Sequence, residues 1–209
     1  VGDEVWPGET VEDNTIYLSR QFDQLASSVR LADCYQVAGQ PDRAVPLLAE
    51  TLRLVRRLRG HLSARLAQVV SATETGNDPS WRETAQETSL EAWRQAVQLI
   101  PEDPRYVAGL VQTLVSAGRL ADAQSYLTGH QTDGDYHPSI SLASALLTSR
   151  QDDKQSARRH ALQALRLVES GQGLSINEYI DLTRFFARYE MPAEAVRAAV
   201  AAANLVGGV

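Results

Sequence analysis

The stretch LVSAGRLADAQSYL, residues 114–127, has the form of a turn between two helices. An apolar run ends at Gly118, and a second run carries the small residue Ala123 near its start. Two antiparallel helices approach closely only where side chains are small, and bulkier residues fill the flanking gaps. Glycine permits the left-handed backbone that ends a helix. The stretch therefore predicts a helical hairpin in which Gly118 turns the chain and Ala123 packs against Val111.

A small residue recurs at the corresponding place along the chain. The five positions are Ala44, Ser89, Ala123, Ala157 and Ala195. The spacing is 34 residues from Ser89 to Ala123 and again 34 from Ala123 to Ala157. The outer steps, of 45 and 38 residues, are consistent with insertions at 73–84 and 169–177. Self-similarity at a period of this length is typical of repeat proteins.

Apolar residues recur at helical spacing through most of the chain, and the signals of strands are nearly absent, so we predict an all-α fold. The polar residues 1–15 are interpreted as a flexible acidic arm, and 16–209 as a helical repeat domain. We place repeats at about 20–58, 61–101, 104–130, 138–170 and 177–205. On the second helix, from about Pro41, the predicted apolar stripe is Val45, Leu48, Leu52, Val55 and Leu58.

This pattern resembles the tetratricopeptide repeat (TPR) family over about residues 20–205. The resemblance is carried by Gly39/Ala44/Leu48, Ser89/Trp93/Ala96/Pro101, Gly118/Ala123/Leu127, Ala157/Ala161/Ala164 and Ala195/Ala199/Ala202. The chain departs from the family pattern: the first-helix tryptophan is missing from the clear repeats, the glycine is replaced near Asp152 and Met191, and the closing proline survives only at Pro101. The resemblance implies a right-handed α-solenoid of about five antiparallel helical hairpins. An irregular helical bundle is the alternative.

In such a solenoid the first helix of each repeat lines a concave groove that holds a peptide or a partner segment. The resemblance implies groove positions at Asp33, Gln36, Arg105, Gln112, Ser116, Leu142, Leu146, Arg150, Ile180, Arg184 and Arg188. Guanidinium groups bind carboxylates bidentately, so Arg150, Arg184 and Arg188 predict an acidic partner. Surface helices carry arginine in any case, and a solvated face is the alternative interpretation.

Composition excludes some classes of partner. The net charge of -6 and the pI near 5.2 argue against nucleic acid. The arginine-rich run 53–65 is interpreted as a solvated helix face, and no stretch approaches the roughly 20 apolar residues of a membrane helix. We therefore expect no membrane contact within this segment. The compartment stays open, and a start without methionine suggests an excised or processed segment.

Residues typical of catalysis or metal binding do not form a recognisable motif. His130, Asp133, Asp135 and His137 lie in a connector without the fixed spacing of a helix, and we interpret them as polar loop residues. Cys34 lies on an apolar helical stretch, which predicts a buried small residue. We expect a non-enzymatic chain with no catalytic residues, no metal and no cofactor.

The sequence therefore predicts a protein–protein interaction scaffold. The alternative is a soluble accessory or oligomerisation domain of a larger membrane-bound, secretion or glycosyltransferase-type protein. The carboxyl end, AVRAAVAAANLVGGV (195–209), is small and apolar, whereas a solenoid needs a polar cap. It either stacks on a second copy, giving a homo-oligomer, or covers the final repeat.

Overall fold

The structure is a computed structural model that describes residues 11–72, 79–130 and 137–207, without the side chains of 11–18, 71–72, 79–82, 130 and 205–207. These ranges form helices α1 (Val11–Val37), α2 (Pro41–Ala72), α3 (Pro79–Leu99), α4 (Pro104–Ser116), α5 (Leu120–His130), α6 (Pro138–Arg150), α7 (Lys154–Glu169), α8 (Ile176–Arg188) and α9 (Pro192–Gly207). They contain no strand, so the predicted all-α class is confirmed for this part of the chain.

The chain divides into two compact units, Val1–Arg59 and Gly60–Val209. In the second unit α4, α6 and α8 each contact the helix that follows them, and α4 also contacts α6, which contacts α8. The buried residues of this unit form two apolar clusters, one built mainly on α3 and α4 and the other on α7 and α8.

Helix α2 differs from the sequence-based expectation because it runs from Pro41 to Ala72 without a break. Repeat boundaries near 58 and 61 predicted two helices there. Gly60 keeps a helical backbone, and a Cβ at this position would lie 2.7 Å from Cδ1 of Ile100. The glycine therefore permits a close approach inside a helix and does not end one.

The turn quoted above forms as the sequence predicts. Gly118 adopts a φ of 73°, and the amide of Arg119 donates to the carbonyl of Leu114, which closes the end of α4. Ala123 and Val111 are both fully buried in the same cluster. Asp152 and Glu190, with φ of 61° and 56°, take the left-handed position at two later turns, close to the sites where the sequence replaces glycine.

The recurring small residues lie at tight positions. Ser89 and Ala157 are fully buried, and Ala44 is 5% exposed. The hydroxyl of Ser89 donates to the carbonyl of Ala67 on α2 over 3.2 Å, which explains how a polar residue fits this position. In α9 the alignment with the other repeats predicts a buried residue at Ala199. The structure buries Ala198 and exposes Ala199, so the buried position is shifted by one residue.

A second close approach joins α3 and α4 at Gly109. A Cβ there would lie 2.5 Å from ring atoms of Trp93, which is itself 6% exposed. Trp93 packs against Tyr106 with ring centroids 6.3 Å apart. The missing side chain of Gly109 thus provides the space that the indole ring fills.

The first unit differs from what the sequence pattern suggests at two places, and the predicted burial of Cys34 is wrong. Of the predicted α2 stripe only Leu58 is buried, whereas Val45, Leu48, Leu52 and Val55 are exposed. Cys34 is also exposed. It lies about half a turn from the buried Ala32, since two helical residues rotate by about 200°.

Candidate functional site

Helices α4, α6 and α8 correspond to the first helices of the last three predicted repeats, and we call them the first-helix row. They contact one another in chain order. Their amino-terminal ends share an electrostatic environment: Asp103, Arg105 and Glu178 all influence the pKa of His137. Because the three starts meet at one end, the helices point in the same direction and their carboxyl ends meet at the other.

The amino-terminal end of the row is occupied by capping interactions. Asp103 accepts from the amide of Arg105 over 3.0 Å and pairs with its guanidinium at 2.9 and 2.7 Å. The hydrogen bond to Asp103 raises the pKa of Arg105. Arg105 is a predicted groove residue, but its charge is already satisfied by a neighbour, so it offers an incoming carboxylate less than the sequence suggests.

His137 caps α6 with a ring nitrogen. Its Nδ1 accepts from the amide of Ser139 over 3.2 Å, which requires that nitrogen to be unprotonated. Burial lowers the pKa of His137, and the charge of Arg105 lowers it further, against the raising effects of Glu178 and Asp103. The neutral ring therefore holds the start of α6.

Glu178 caps α8 by a reciprocal arrangement with Ser175. The Glu178 carboxylate accepts from the Ser175 amide over 2.9 Å, and the Glu178 amide donates to the Ser175 hydroxyl over 3.4 Å. This is a capping box. The capping box fixes the start of α8, and the charge of Glu178 raises the pKa of His137 at the start of α6.

The middle of the row presents less surface than predicted. Leu142 is fully buried in the core, so its predicted place in a groove is wrong. Leu146 is half-buried against the same cluster, and Ile180 is 40% exposed. The amide nitrogen of the half-buried Gln112 has no hydrogen-bond partner among the described residues. An unpaired buried amide costs about 1–3 kcal/mol, so a bound carbonyl that reached it would be favoured.

The carboxyl-terminal end of the row is exposed and carries charges of both signs, because Asp152, Asp153 and Glu190 in the turns after α6 and α8 are exposed as well. Ser116, Arg150 and Arg188 are exposed there. The hydroxyl of Tyr189 donates to that of Ser149 over 2.7 Å, and this contact brings the neighbouring Arg150 and Arg188 to the same end. Both arginines end their helices, where a cation also stabilises the helix dipole.

Arg184 lies one turn before Arg188 on α8. Its side chain is 77% exposed, and its ion pair with Asp181 is long, at 3.9 Å. Such an exposed pair is weak in water. Arg184 is therefore available to a ligand at little cost.

Helix α7 carries a basic face that the residues singled out from the sequence do not include. Lys154, Arg158, Arg159 and Arg166 line a shallow depression of about 470 Å³ together with Gln155 and Leu162. The guanidinium of Arg158 lies 5.7 Å from the centre of the Tyr189 ring and donates to the Tyr189 carbonyl over 3.0 Å. The spacing of the four cations along one helix was the available signal. The contact at Tyr189 places this face beside the carboxyl-terminal end of the row.

Other candidate positions give no built site. Asp33 and Gln36 are exposed on α1 in the first unit. Within the described ranges no three His, Cys, Asp or Glu residues lie together as metal ligands would. Of the connector residues named above, His137 is described as a helix cap, while 131–136 and the side chain of His130 lie outside the described residues.

Among the helices that the structure describes, none has the length and apolar character needed to cross a membrane. No family model, no curated protein and no solved structure matches this chain.

Proposed function

We propose that the chain is a non-catalytic scaffold that holds an acidic segment of another protein against the first-helix row. The proposed architecture is a right-handed, TPR-like solenoid of about five helical hairpins, in which this row lines the concave face. Two observations support it. Each helix of the row contacts its successor along the chain and the next helix of the row, and the small residues spaced by 34 positions are all buried.

The observation that carries the proposal is the set of exposed arginines toward the carboxyl-terminal end of the row. Arg150, Arg184 and Arg188 are exposed together there, and the weak pair of Arg184 with Asp181 is the sole ion pair that the described structure gives any of them. Exposed guanidinium groups bind carboxylates in a forked geometry, with two parallel hydrogen bonds. The half-buried Gln112 amide adds a donor for a backbone carbonyl. An extended segment with acidic side chains fits both features.

The test is selection of a random peptide library displayed on phage against the immobilised chain. We expect enrichment of peptides rich in Asp and Glu, and a loss of at least about 10-fold in their affinity for the Arg184→Glu/Arg188→Glu variant, equal to about 1.4 kcal/mol. The matched control is Arg20→Glu/Arg30→Glu, which reverses two exposed arginines on α1. Selected peptides that bind both variants alike would refute the groove, and selection without acidic residues would refute the acidic partner.

A second candidate function is that of an accessory or oligomerisation domain of a larger protein, and α9 favours it. Val196 and Val200 are 62% and 53% exposed, while Ala198 on the opposite side is buried. Light scattering over a concentration series tests this candidate. An oligomer that Val196→Glu/Val200→Glu converts to a monomer would support it, and a monomer at every concentration would count against it.

A further inference from the structure

Six residues of helix α7 surround one shallow depression of about 470 Å³ on the second unit. Four of them are cations and none is an acid. We call this set the α7 basic face: Lys154, Gln155, Arg158, Arg159, Leu162 and Arg166. The positions 154, 158, 162 and 166 are each four residues apart, so they follow one ridge of the helix surface. A ligand lying along this ridge would meet lysine, arginine, leucine and arginine in that order.

The cations of this face keep their charge in the folded chain. Within the described residues, Lys154, Arg159 and Arg166 are exposed and form no ion pair. Arg158 donates to the carbonyl of Tyr189 over 3.0 Å, and its guanidinium lies 5.7 Å from the centre of the Tyr189 ring. These contacts orient Arg158 without neutralising it. An oriented guanidinium loses less conformational freedom when it binds a carboxylate.

The one acid within α7 is already paired. Glu169, near the end of the helix, accepts two hydrogen bonds from the guanidinium of Arg197 on α9, at 2.8 and 2.5 Å. Its charge is therefore offset by a neighbour. Arg166, three residues earlier, has no such partner among the described residues and is available to a ligand.

The remaining acids lie toward the start of the face. Asp153 caps α7, and hydrogen bonds from Ser156, followed by the charge of Arg159, lower the pKa of its carboxyl. Asp152 and Glu190 are exposed in the adjoining turns. Arg159 is thus partly screened by Asp153, and the positive charge of the face is strongest toward Arg166.

The ridge has nearly the spacing of an extended chain. Four residues of a helix rise by about 6 Å. Side chains on one side of a strand recur every two residues, about 6.6–6.8 Å apart. From Arg158 to Arg166 the ridge covers about 12 Å, and four residues of a strand cover about 13 Å, a difference that long arginine side chains absorb. Two acids four positions apart in an extended segment can therefore face these two arginines.

Leu162 decides which class of anion fits. It lies midway between Arg158 and Arg166, half-buried against the second apolar cluster. A charge placed over it would lose water without gaining a partner. A polyphosphate or a nucleic-acid strand carries a charge at every repeat, and a long polyanion would also run onto a chain with a net charge of -6. A peptide can place an apolar side chain between two acids.

We infer that the α7 basic face binds an extended segment of another protein with the pattern acid–x–apolar–x–acid. The two acids pair with Arg158 and Arg166, and the apolar side chain contacts Leu162. The pattern is symmetric, so it fits either direction of the segment along α7. This site is separate from the first-helix row and does not depend on the function proposed above.

The test uses a fluorescein-labelled nonapeptide with the centre Glu-Thr-Leu-Thr-Glu and flanks of Gly and Ser. A matched isomer, Thr-Glu-Leu-Glu-Thr, has the same composition but places both acids on the side of the strand opposite the leucine. Fluorescence anisotropy with the full chain should show saturable binding of the first peptide and about 10-fold weaker binding of the isomer. Equal affinity for the two peptides, or absence of saturable binding, would overturn the inference.

The matched variants are Arg166→Gln, on the ridge, and Arg159→Gln, beside it. Arg166→Gln should weaken binding of the first peptide by about 5-fold, and Arg159→Gln by less than about 2-fold, because only Arg166 faces an acid. Both residues are exposed, so circular dichroism should show unchanged helix content. Equal losses in the two variants would overturn the inference.

Two further measurements distinguish other sites and ligands. Binding that is lost in Arg184→Gln/Arg188→Gln but kept in Arg166→Gln would place the peptide on the first-helix row. That result would support the function proposed above and overturn this inference, whereas unchanged binding in the row variant would support it. Displacement of the peptide by tripolyphosphate at a lower concentration than by unlabelled peptide would identify phosphate as the ligand class and would also overturn it.

Discussion

Replacing Gly109 by alanine should destabilise the chain even though alanine is the better helix former. In the interior of a helix, alanine is favoured over glycine by about 0.8–1.0 kcal/mol. At Gly109, however, the new Cβ would lie 2.5 Å from Cη2 and Cζ2 of Trp93. The contact is with a large buried ring, so relief requires movement of the ring or of the helix.

The size of the effect follows from these opposing contributions. Overpacking of a core costs about 1–3 kcal/mol. We take the upper end here because Trp93 is 6% exposed and already packed against Tyr106. Subtracting the helix-propensity gain leaves a loss of about 2 kcal/mol. For a chain of this length that corresponds to a fall in Tm of about 4–8 °C.

The assay is thermal and urea unfolding followed by circular dichroism. Gly129→Ala is the matched control: Gly129 is also helical, and a Cβ there meets nothing within 4 Å. That variant should be as stable as the original chain or more so. Trp93→Phe removes part of the ring, so Gly109→Ala should cost less in its background, with a coupling of about 0.5–3 kcal/mol. If Gly109→Ala and Gly129→Ala have the same effect, or if Trp93→Phe does not change the cost, the close approach is refuted.

Four further predictions concern two histidines, the left-handed turns and a tight packing position. Because burial lowers the pKa of His137 below its unfolded value, the unfolded chain binds more protons than the folded chain. The free energy of unfolding should therefore fall as the pH drops from about 7.5 through 6.5 to the folded pKa. The variant His137→Asn keeps an acceptor at the cap and should reduce this pH dependence in urea titrations, whereas an unchanged pH dependence would exclude the neutral His137 cap. Burial also lowers the pKa of His160, so this residue contributes a pH dependence of the same sign. The variant His160→Gln should remove only the part of the pH dependence that comes from His160. Gly118→Ala should lower the free energy of unfolding by about 1–2 kcal/mol because of the positive φ alone, whereas Glu190→Gly should raise it by up to about 1 kcal/mol. A higher urea midpoint for Gly118→Ala, or a lower one for Glu190→Gly, would contradict this. Ala123→Leu should cost about 1–3 kcal/mol because the residue is fully buried, and a neutral change would show that the hairpin is loosely packed.

The local features of the fold could be predicted from the sequence. The turn at Gly118 follows from the backbone freedom of glycine, whereas the left-handed positions at Asp152 and Glu190 follow only from the places where apolar runs stop, because a residue with a Cβ does not favour a positive φ. The burial of Ala123 and Ala157 follows from their size and period. Each of these features depends on residues within one helical hairpin, so the pattern of residue types along that segment was sufficient.

Less of the candidate sites could be predicted from the sequence. The pairing of Arg105 with Asp103 depends on cap geometry, which charge patterning alone does not give. The basic face of α7 was visible as spacing, but its position beside Tyr189 required the packed helices. Leu142 occupies a groove position by resemblance and lies in the core because α6 is covered by its neighbours.

By itself the sequence determined that this chain is helical, where several helices turn, and which small residues let them approach. Only the tertiary structure decided which apolar stripes are covered. The stripe of Val45, Leu48, Leu52 and Val55 has the same period as a buried one, yet it is exposed. Periodicity reports that one side of a helix is apolar, a property of that segment alone. Burial requires a neighbour supplied from elsewhere, and in the first unit the described residues leave that side of α2 open.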